Sequence, residues 1–202
     1  MNVTIVDYNV GNIRSIVNML RFFKNLNIKI SNKRKEIINS DKIILPGVGA
    51  FGNAMNKIIK LELNDSINQY IKTGNSILGI CLGMQLLMDN SNEFGYYKGL
   101  GLIPGNVAKI PLNTSKILPN IGYFKLNFKK ENMNPKIASS WYYFIHSYHC
   151  VPLDPSHINS EIIINSNKIV SSISKENIHG CQFHPEKSSE GGVEYFKSFL
   201  NE

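Results

Sequence analysis

Over the first hundred residues, short runs of apolar and β-branched residues alternate with longer stretches in which apolar positions recur every three or four residues. Asn2–Asp7 reads as a first strand. After Gly11-Asn12, the positions Ile13, Ile16, Val17, Leu20 and Phe23 mark one face of a helix. Further strands are predicted at Ile28–Ile30, Lys42–Leu45 and Ser76–Ile80, and a helix over Asp65–Lys72 carries Ile67, Tyr70 and Ile71 on one side. This alternation predicts a parallel sheet flanked by helices. From Leu102 onward the pattern changes to short β segments separated by turn residues: Gly122–Phe128, Trp141–Ile145, Glu161–Ile164, Lys168–Ile173 and Ile178–Phe183. Antiparallel or mixed pairing is expected there. The run Trp141-Tyr142-Tyr143-Phe144 reads as a strand packed on both faces, in a core or an interface. A last helix starts near Ser188-Ser189, an acceptable cap, and runs through Val193, Phe196 and Leu200. The expected fold class is α/β: an open, mostly parallel sheet flanked by helices, with a mixed or antiparallel β extension in the second half, forming a single domain over residues 1–202.

Composition narrows the function classes. Hydrophobic residues make up 43% of the 202 positions and charged residues 18%, below the usual quarter, which excludes a disordered tail or a coiled coil. Lys and Arg number 22 against 15 Asp and Glu, for a net charge of +7. Such a surplus suits a nucleic acid, an anionic ligand or an acidic partner surface. The basic clusters Lys33-Arg34-Lys35 and Lys129-Lys130 lack interleaved aromatics and read as solvated loops, so no nucleic-acid partner is expected. No apolar run approaches membrane-spanning length, and Met1–Val6 carries neither a basic segment nor a long apolar run. The expectation is a cytoplasmic chain without membrane contact, whose three cysteines, Cys81, Cys150 and Cys181, stay free thiols.

Chemistry concentrates at three places, each just beyond a predicted strand. In Gly79-Ile80-Cys81-Leu82-Gly83 an apolar strand runs into a turn with a cysteine between two glycines. A nucleophile on a strand-to-helix turn needs small residues two positions to either side, and the start of the following helix favours the thiolate. The competing reading is a buried structural cysteine. A cysteine nucleophile requires a base and a group to orient that base. His184-Pro185-Glu186 supplies both, since the proline fixes the backbone and lets the histidine and glutamate project towards one point. Alone, that pair is an everyday surface feature. Pro46-Gly47-Val48-Gly49-Ala50-Phe51-Gly52 offers accessible backbone N–H groups, and Val48 and Leu82 are the candidate donors to a tetrahedral oxyanion. The loop matches neither a phosphate-binding nor a dinucleotide-binding glycine pattern. His146, His149, Cys150, His179, Cys181 and His184 could suggest zinc, but on one strand His146 and Cys150 would share a face with His149 opposite, so no metal site is expected.

Taken together, Gly79–Gln85, Gln182–Ser188, Pro46–Gly52, Asp7-Tyr8 with Gly11–Ser15, and Tyr143–Tyr148 resemble class I glutamine amidotransferases. Among these, the chain is similar to the glutaminase subunits of imidazole glycerol phosphate synthase. The resemblance implies that Cys81 attacks the side-chain amide of L-glutamine, with His184 moving protons and Glu186 orienting it, to give glutamate and ammonia without a cofactor. It implies substrate contacts from Gly49 and Gln85 and from the backbone of Ser147 and Tyr148. It also implies a heterodimer with a (β/α)8-barrel cyclase/synthase subunit, which receives the ammonia and makes imidazole glycerol phosphate and AICAR in histidine biosynthesis. Asn12, Arg14, Tyr123 and Lys187 are the expected partner-facing residues. The family usually carries His-Met-Gly-Trp-Asn where this chain has Asn120-Ile121-Gly122-Tyr123-Phe124. Two rival readings follow: a paralogous glutaminase feeding another acceptor, such as a surface-sugar amidotransferase, and a catalytically silent scaffold subunit. About 200 residues leave no room for the acceptor, which is expected on another chain.

Overall fold

The structure is a computed structural model that describes residues 1–111, 118–129 and 134–201. Lys130 lies outside the described residues. The chain opens with strand β1 (Asn2–Val6), helix α1 (Ile13–Leu20), β2 (Asn27–Ser31), α2 (Arg34–Ile38) and β3 (Lys42–Leu45). Helices α3 (Phe51–Lys60) and α4 (Leu63–Ile71) lead to β4 (Ser76–Ile80) and the short α5 (Leu82–Leu86). Then come β5 (Met88–Ser91), β6 (Tyr97–Lys98), β7 (Ile103–Lys109), β8 (Asn120–Lys125), β9 (Asn127–Phe128) and α6 (Pro135–Ser139). The chain continues through β10 (Trp141–His146), β11 (Tyr148–Pro152), β12 (Ile158–Ile164), β13 (Asn167–Lys175), β14 (Ile178–Cys181) and α7 (Ser189–Asn201).

The main sheet has the order β2-β1-β3-β4-β14-β13-β12-β9. Pairing is parallel from β2 to β14 and antiparallel from β14 to β9. This is the mostly parallel sheet with a mixed extension expected from the pattern. The central strands are buried on both faces, so they read as continuous apolar runs rather than alternating ones. In β3, Ile43 and Leu45 join the core beneath α2, α3 and α4, while Ile44 joins the core beneath α1 and α7. The helices follow the predicted faces: α1 buries Ile16, Met19 and Leu20, and α4 buries Ile67 and Tyr70.

Several segments depart from expectation. A second sheet, β11-β7-β5-β6, and the helices α2, α3 and α6 appear where no element was read. Met88-Asp89-Asn90-Ser91 and Pro104-Gly105-Asn106 carry weak strand signals, and neighbouring strands rather than local preference hold them extended. Lys33-Arg34-Lys35 leads into α2 instead of a loop, and Lys129 pairs with Glu161 at 2.6 Å. The aromatic strand β10 is not packed on both faces. Tyr142 and Phe144 are fully buried, while Trp141 is 55% exposed, because β10 forms a two-stranded ribbon with β8 whose outer face lies open among the described residues. His146 and Cys150 share no strand. The chain leaves β10 after His146, and Cys150 sits in β11, paired with Val107 of β7.

Candidate active site

Parallel pairing aligns the carboxyl ends of three neighbouring strands: Leu45 of β3 lies beside Gly79 of β4, and Cys181 of β14 beside Ile80. Open α/β sheets place their sites along such an edge. Cys81 follows directly, with φ 54° and ψ −110°, a left-handed backbone that a non-glycine residue adopts at a cost of about 1–3 kcal/mol. The flanking glycines are there for close approach. A Cβ on Gly79 would lie 2.6 Å from the Gly83 carbonyl oxygen, and one on Gly83 would lie 1.9 Å from that of Leu45. The tightness of the turn thus excludes every larger residue at these two positions. Cys81 N–H donates to the Cys181 carbonyl at 2.7 Å, which ties the turn to β14.

Beyond β14, the backbone of His184 is pinned from two sides. Its N–H donates to the Tyr143 carbonyl at 2.9 Å, and its own carbonyl accepts from Ser188 Oγ at 2.6 Å. Its Nδ1 meets Glu186 Oε1 at 2.8 Å, in a pair whose side chains are 3% and 1% exposed. That contact leaves Nε2, buried and without a hydrogen-bond partner, for the Cys81 side. Burial disfavours the imidazolium. The Cys81 and Glu186 side chains outweigh it and push the His184 pKa up to about 10.

A cavity of about 400 Å³ opens over these groups, lined by Cys81, Leu82, Gln85, His184, Val48 and Gly49 on one side. Ser147, Tyr148, Ile145, His146, Pro119, Lys187 and Glu93 complete it. The Pro46–Ala50 loop is anchored at both ends. Tyr8, fully buried, donates its hydroxyl to the Pro46 carbonyl, and Glu93 Oε2 accepts from Phe51 N–H at 2.7 Å. Between those anchors Val48 is 45% exposed and Gly49 has φ 94° with open space around it. The middle of the loop is therefore the least constrained part of the site.

The cavity thus gathers Cys81, His184, Val48, Gly49, Leu82, Gln85, Ser147 and Tyr148, with Glu186 behind the histidine. The Tyr148 carbonyl is already taken, accepting from Gln85 Nε2 at 3.0 Å and His146 Nδ1 at 2.8 Å. Because a carbonyl only accepts, His146 carries its proton on Nδ1, and Nε2 accepts from Asn120 at 3.4 Å. Burial pushes the His146 pKa down to about 4, so it is a neutral, structural histidine. Of the expected partner-facing residues, Lys187 reaches the cavity rim, with its ammonium 5.4 Å from the Tyr143 ring. Tyr123 stacks on Tyr143 at 5.3 Å. Asn12 and Arg14 are exposed at the start of α1, outside the cavity lining, on a helix that packs against the Pro185–Lys187 turn. Glu93 and Gln182 escaped the sequence reading. Glu93 lies outside every motif, while Gln182 stands out only as the first residue of Gln182–Ser188. Among the described residues no group of three or more His, Cys, Asp or Glu is arranged to hold a metal ion.

A cysteine on a tight strand turn, a buried His–Glu pair and a glycine loop thus meet over one cavity, the groups that a thiol amidase would need. The family model "Glutamine amidotransferase class-I" matches residues 4–202, and the chain belongs to that family. Within it, the chain is 39% identical over 199 residues to "Imidazole glycerol phosphate synthase subunit HisH" of Chlorobaculum tepidum, covering 98% of each chain. It is 40% identical to the protein of the same name from Listeria innocua, covering 98% of this chain and 94% of that one. A solved structure described as "Crystal structure of glutamine amidotransferase" shares the fold, with a TM-score of 0.76 at 16% identity over 98% of this chain and 97% of that one.

Proposed function

We propose that residues 1–202 form one glutaminase domain, the ammonia-producing subunit of an imidazole glycerol phosphate synthase. The observation that carries the chemistry is the meeting of Cys81, the His184–Glu186 pair and the Pro46–Ala50 loop at one cavity. In this reading the Cys81 sulfur attacks the side-chain amide carbon of L-glutamine. The oxyanion is held by the Val48 and Leu82 N–H groups. His184 Nε2, held in the imidazolium form by its two neighbours, gives its proton to the leaving ammonia as the glutamyl thioester forms. Water, deprotonated by the then neutral imidazole, attacks the thioester and releases glutamate. Gly49 and Gln85 hold the substrate, and the Glu93 carboxylate suits its α-ammonium group. Because two side chains already occupy the Tyr148 carbonyl, contacts from that segment fall to the remaining Ser147 and Tyr148 backbone.

The ammonia acceptor is a (β/α)8-barrel cyclase/synthase subunit, by likeness to relatives named as HisH subunits along nearly the whole chain. Its docking face is the open side of the β8–β10 ribbon. There Tyr123 pairs with Tyr143 and Ile121 with Ile145, while Trp141 stands beside Lys125. Ile121, Tyr123 and Trp141 are more than half exposed, and Ile145, Val48 and Lys187 continue this face to the cavity mouth. Ammonia released beside the partner stays out of bulk water, where it would be protonated and lose its nucleophilicity. The test is glutamate release from glutamine by the purified chain, alone and with candidate barrel synthases. Stimulation by a histidine-pathway cyclase supports the reading. Stimulation only by a surface-sugar synthase would assign the chain to that acceptor, and activity unchanged in Cys81→Ala would remove the triad.

A further inference from the structure

The Gln182–Glu186 segment contains one polar side chain that the glutaminase reading leaves unused. Gln182 is fully buried just beyond β14, and a primary amide in such a place is costly unless both its ends are bonded. Its Oε1 accepts from Gln85 Nε2 at 2.9 Å. That contact sets which way the amide points, because Gln85 Nε2 can only donate. The amide nitrogen is thereby turned towards the nucleophile, and Nε2 donates to Cys81 Sγ at 3.6 Å, within the range for sulfur. Donor and acceptor stand on rigid, neighbouring strand ends. Gln182 N–H is held by the Ser171 carbonyl at 2.9 Å, and Cys81 N–H by that of Cys181 at 2.7 Å. On the other side, Gln85 lines the cavity and also donates to the Tyr148 carbonyl. An unbroken chain of hydrogen bonds therefore runs from the cavity wall at Tyr148, through Gln85 and Gln182, to the sulfur.

We infer that Gln182 is a positioning residue: its buried amide aims the Cys81 sulfur, stabilises the thiolate by a hydrogen bond, and links the nucleophile to the cavity-lining Gln85. The inference deepens the glutaminase reading and rests on it. The titratable groups that interact with the sulfur are Tyr8, Cys150, Cys181 and His184. Of these only His184 brings a positive charge. Tyr8 spends its hydroxyl on Pro46, and Cys150 points its thiol at the Met84 carbonyl at 3.8 Å, so Gln182 is the neutral donor at the sulfur.

The test compares wild type with Gln182→Met, which keeps the shape and removes the amide. The readouts are Cys81 alkylation by iodoacetamide across pH and steady-state glutaminase kinetics with the partner synthase present. The expected result is an alkylation profile displaced to higher pH with an unchanged limiting rate at high pH, since only the thiolate reacts. kcat should fall about tenfold with KM within about threefold. Unchanged alkylation, or an equal loss at every pH, would overturn the proposal, because the latter reports access rather than thiolate stabilisation. Should Gln182→Met fail to fold, the wild-type chain supplies the test. Alkylating Cys81 should shift the side-chain amide resonances of Gln182, and resonances that stay in place overturn the proposal. The alkylation arm needs no turnover, so a wild-type chain without glutaminase activity would refute the glutaminase reading separately.

Discussion

At the scale of single residues, the site separates a charged histidine from a neutral one by what each touches. His184 and His146 are both buried. His184 has a carboxylate at 2.8 Å and a thiol beyond, and its pKa rises; His146 has a carbonyl and an amide, and its pKa falls. Glu186→Gln keeps the size and removes one of the two influences that hold His184 charged. Its pKa should fall, so the alkaline limb of the pH profile should move to lower pH. Turnover at the optimum should drop about 10²–10³-fold, measured as glutamate release. Gly83→Ala places a methyl group 1.9 Å from the Leu45 carbonyl oxygen, in backbone that cannot retreat. Loss of several kcal/mol of stability is expected, read as a lower denaturation midpoint or no folded protein.

At the scale of elements, the groups that line the candidate site are set by how strands end. β14 closes at Cys181, two residues before the strand read from the sequence, because Phe183 turns into the core beneath α7 instead of continuing the ladder. The Phe183 ring packs on Tyr142 at 4.4 Å and Tyr195 at 4.9 Å, and this contact fixes where the next residue, His184, begins its turn. Phe183→Ala should therefore cost about 3–5 kcal/mol in denaturant unfolding. It should also lower kcat in the protein that still folds. The Cys81 turn and the start of the glycine loop were legible from the sequence because close packing at Gly79, Gly83 and Gly47 demands glycine. The second sheet was not legible, since its strands are extended by their partners rather than by their own residues.

At the scale of the whole molecule, stability and association depend on groups outside the chemistry. His146 has a folded-state pKa near 4, below the unfolded value of about 6.5, so the unfolded chain binds the proton first. Its contribution is complete above about pH 6.5 and is lost as pH falls towards 4, up to about 3 kcal/mol. Chemical denaturation at pH 7 and pH 4.5 should show this loss, reduced in a His146→Gln variant. The open apolar ribbon predicts a different effect. Trp141→Ala removes exposed area outside the cavity, so thermal stability and basal glutamine hydrolysis should hold while affinity for the proposed barrel partner drops tenfold or more, read by calorimetry.

The sequence by itself determined the alternation of strand and helix, the cysteine turn between Gly79 and Gly83, the His184–Glu186 pair and the glycine loop, because each is a local demand written in adjacent residues. Only the tertiary structure decided which groups meet. Glu93 on the loop anchor, Gln182 on the sulfur, Asn120 on His146 and the open face of Trp141 all depend on how residues far apart in the chain are brought together. Such contacts leave no periodicity or spacing to read, since they are set by the register of strands and by which face of a ribbon finds a neighbour to cover it.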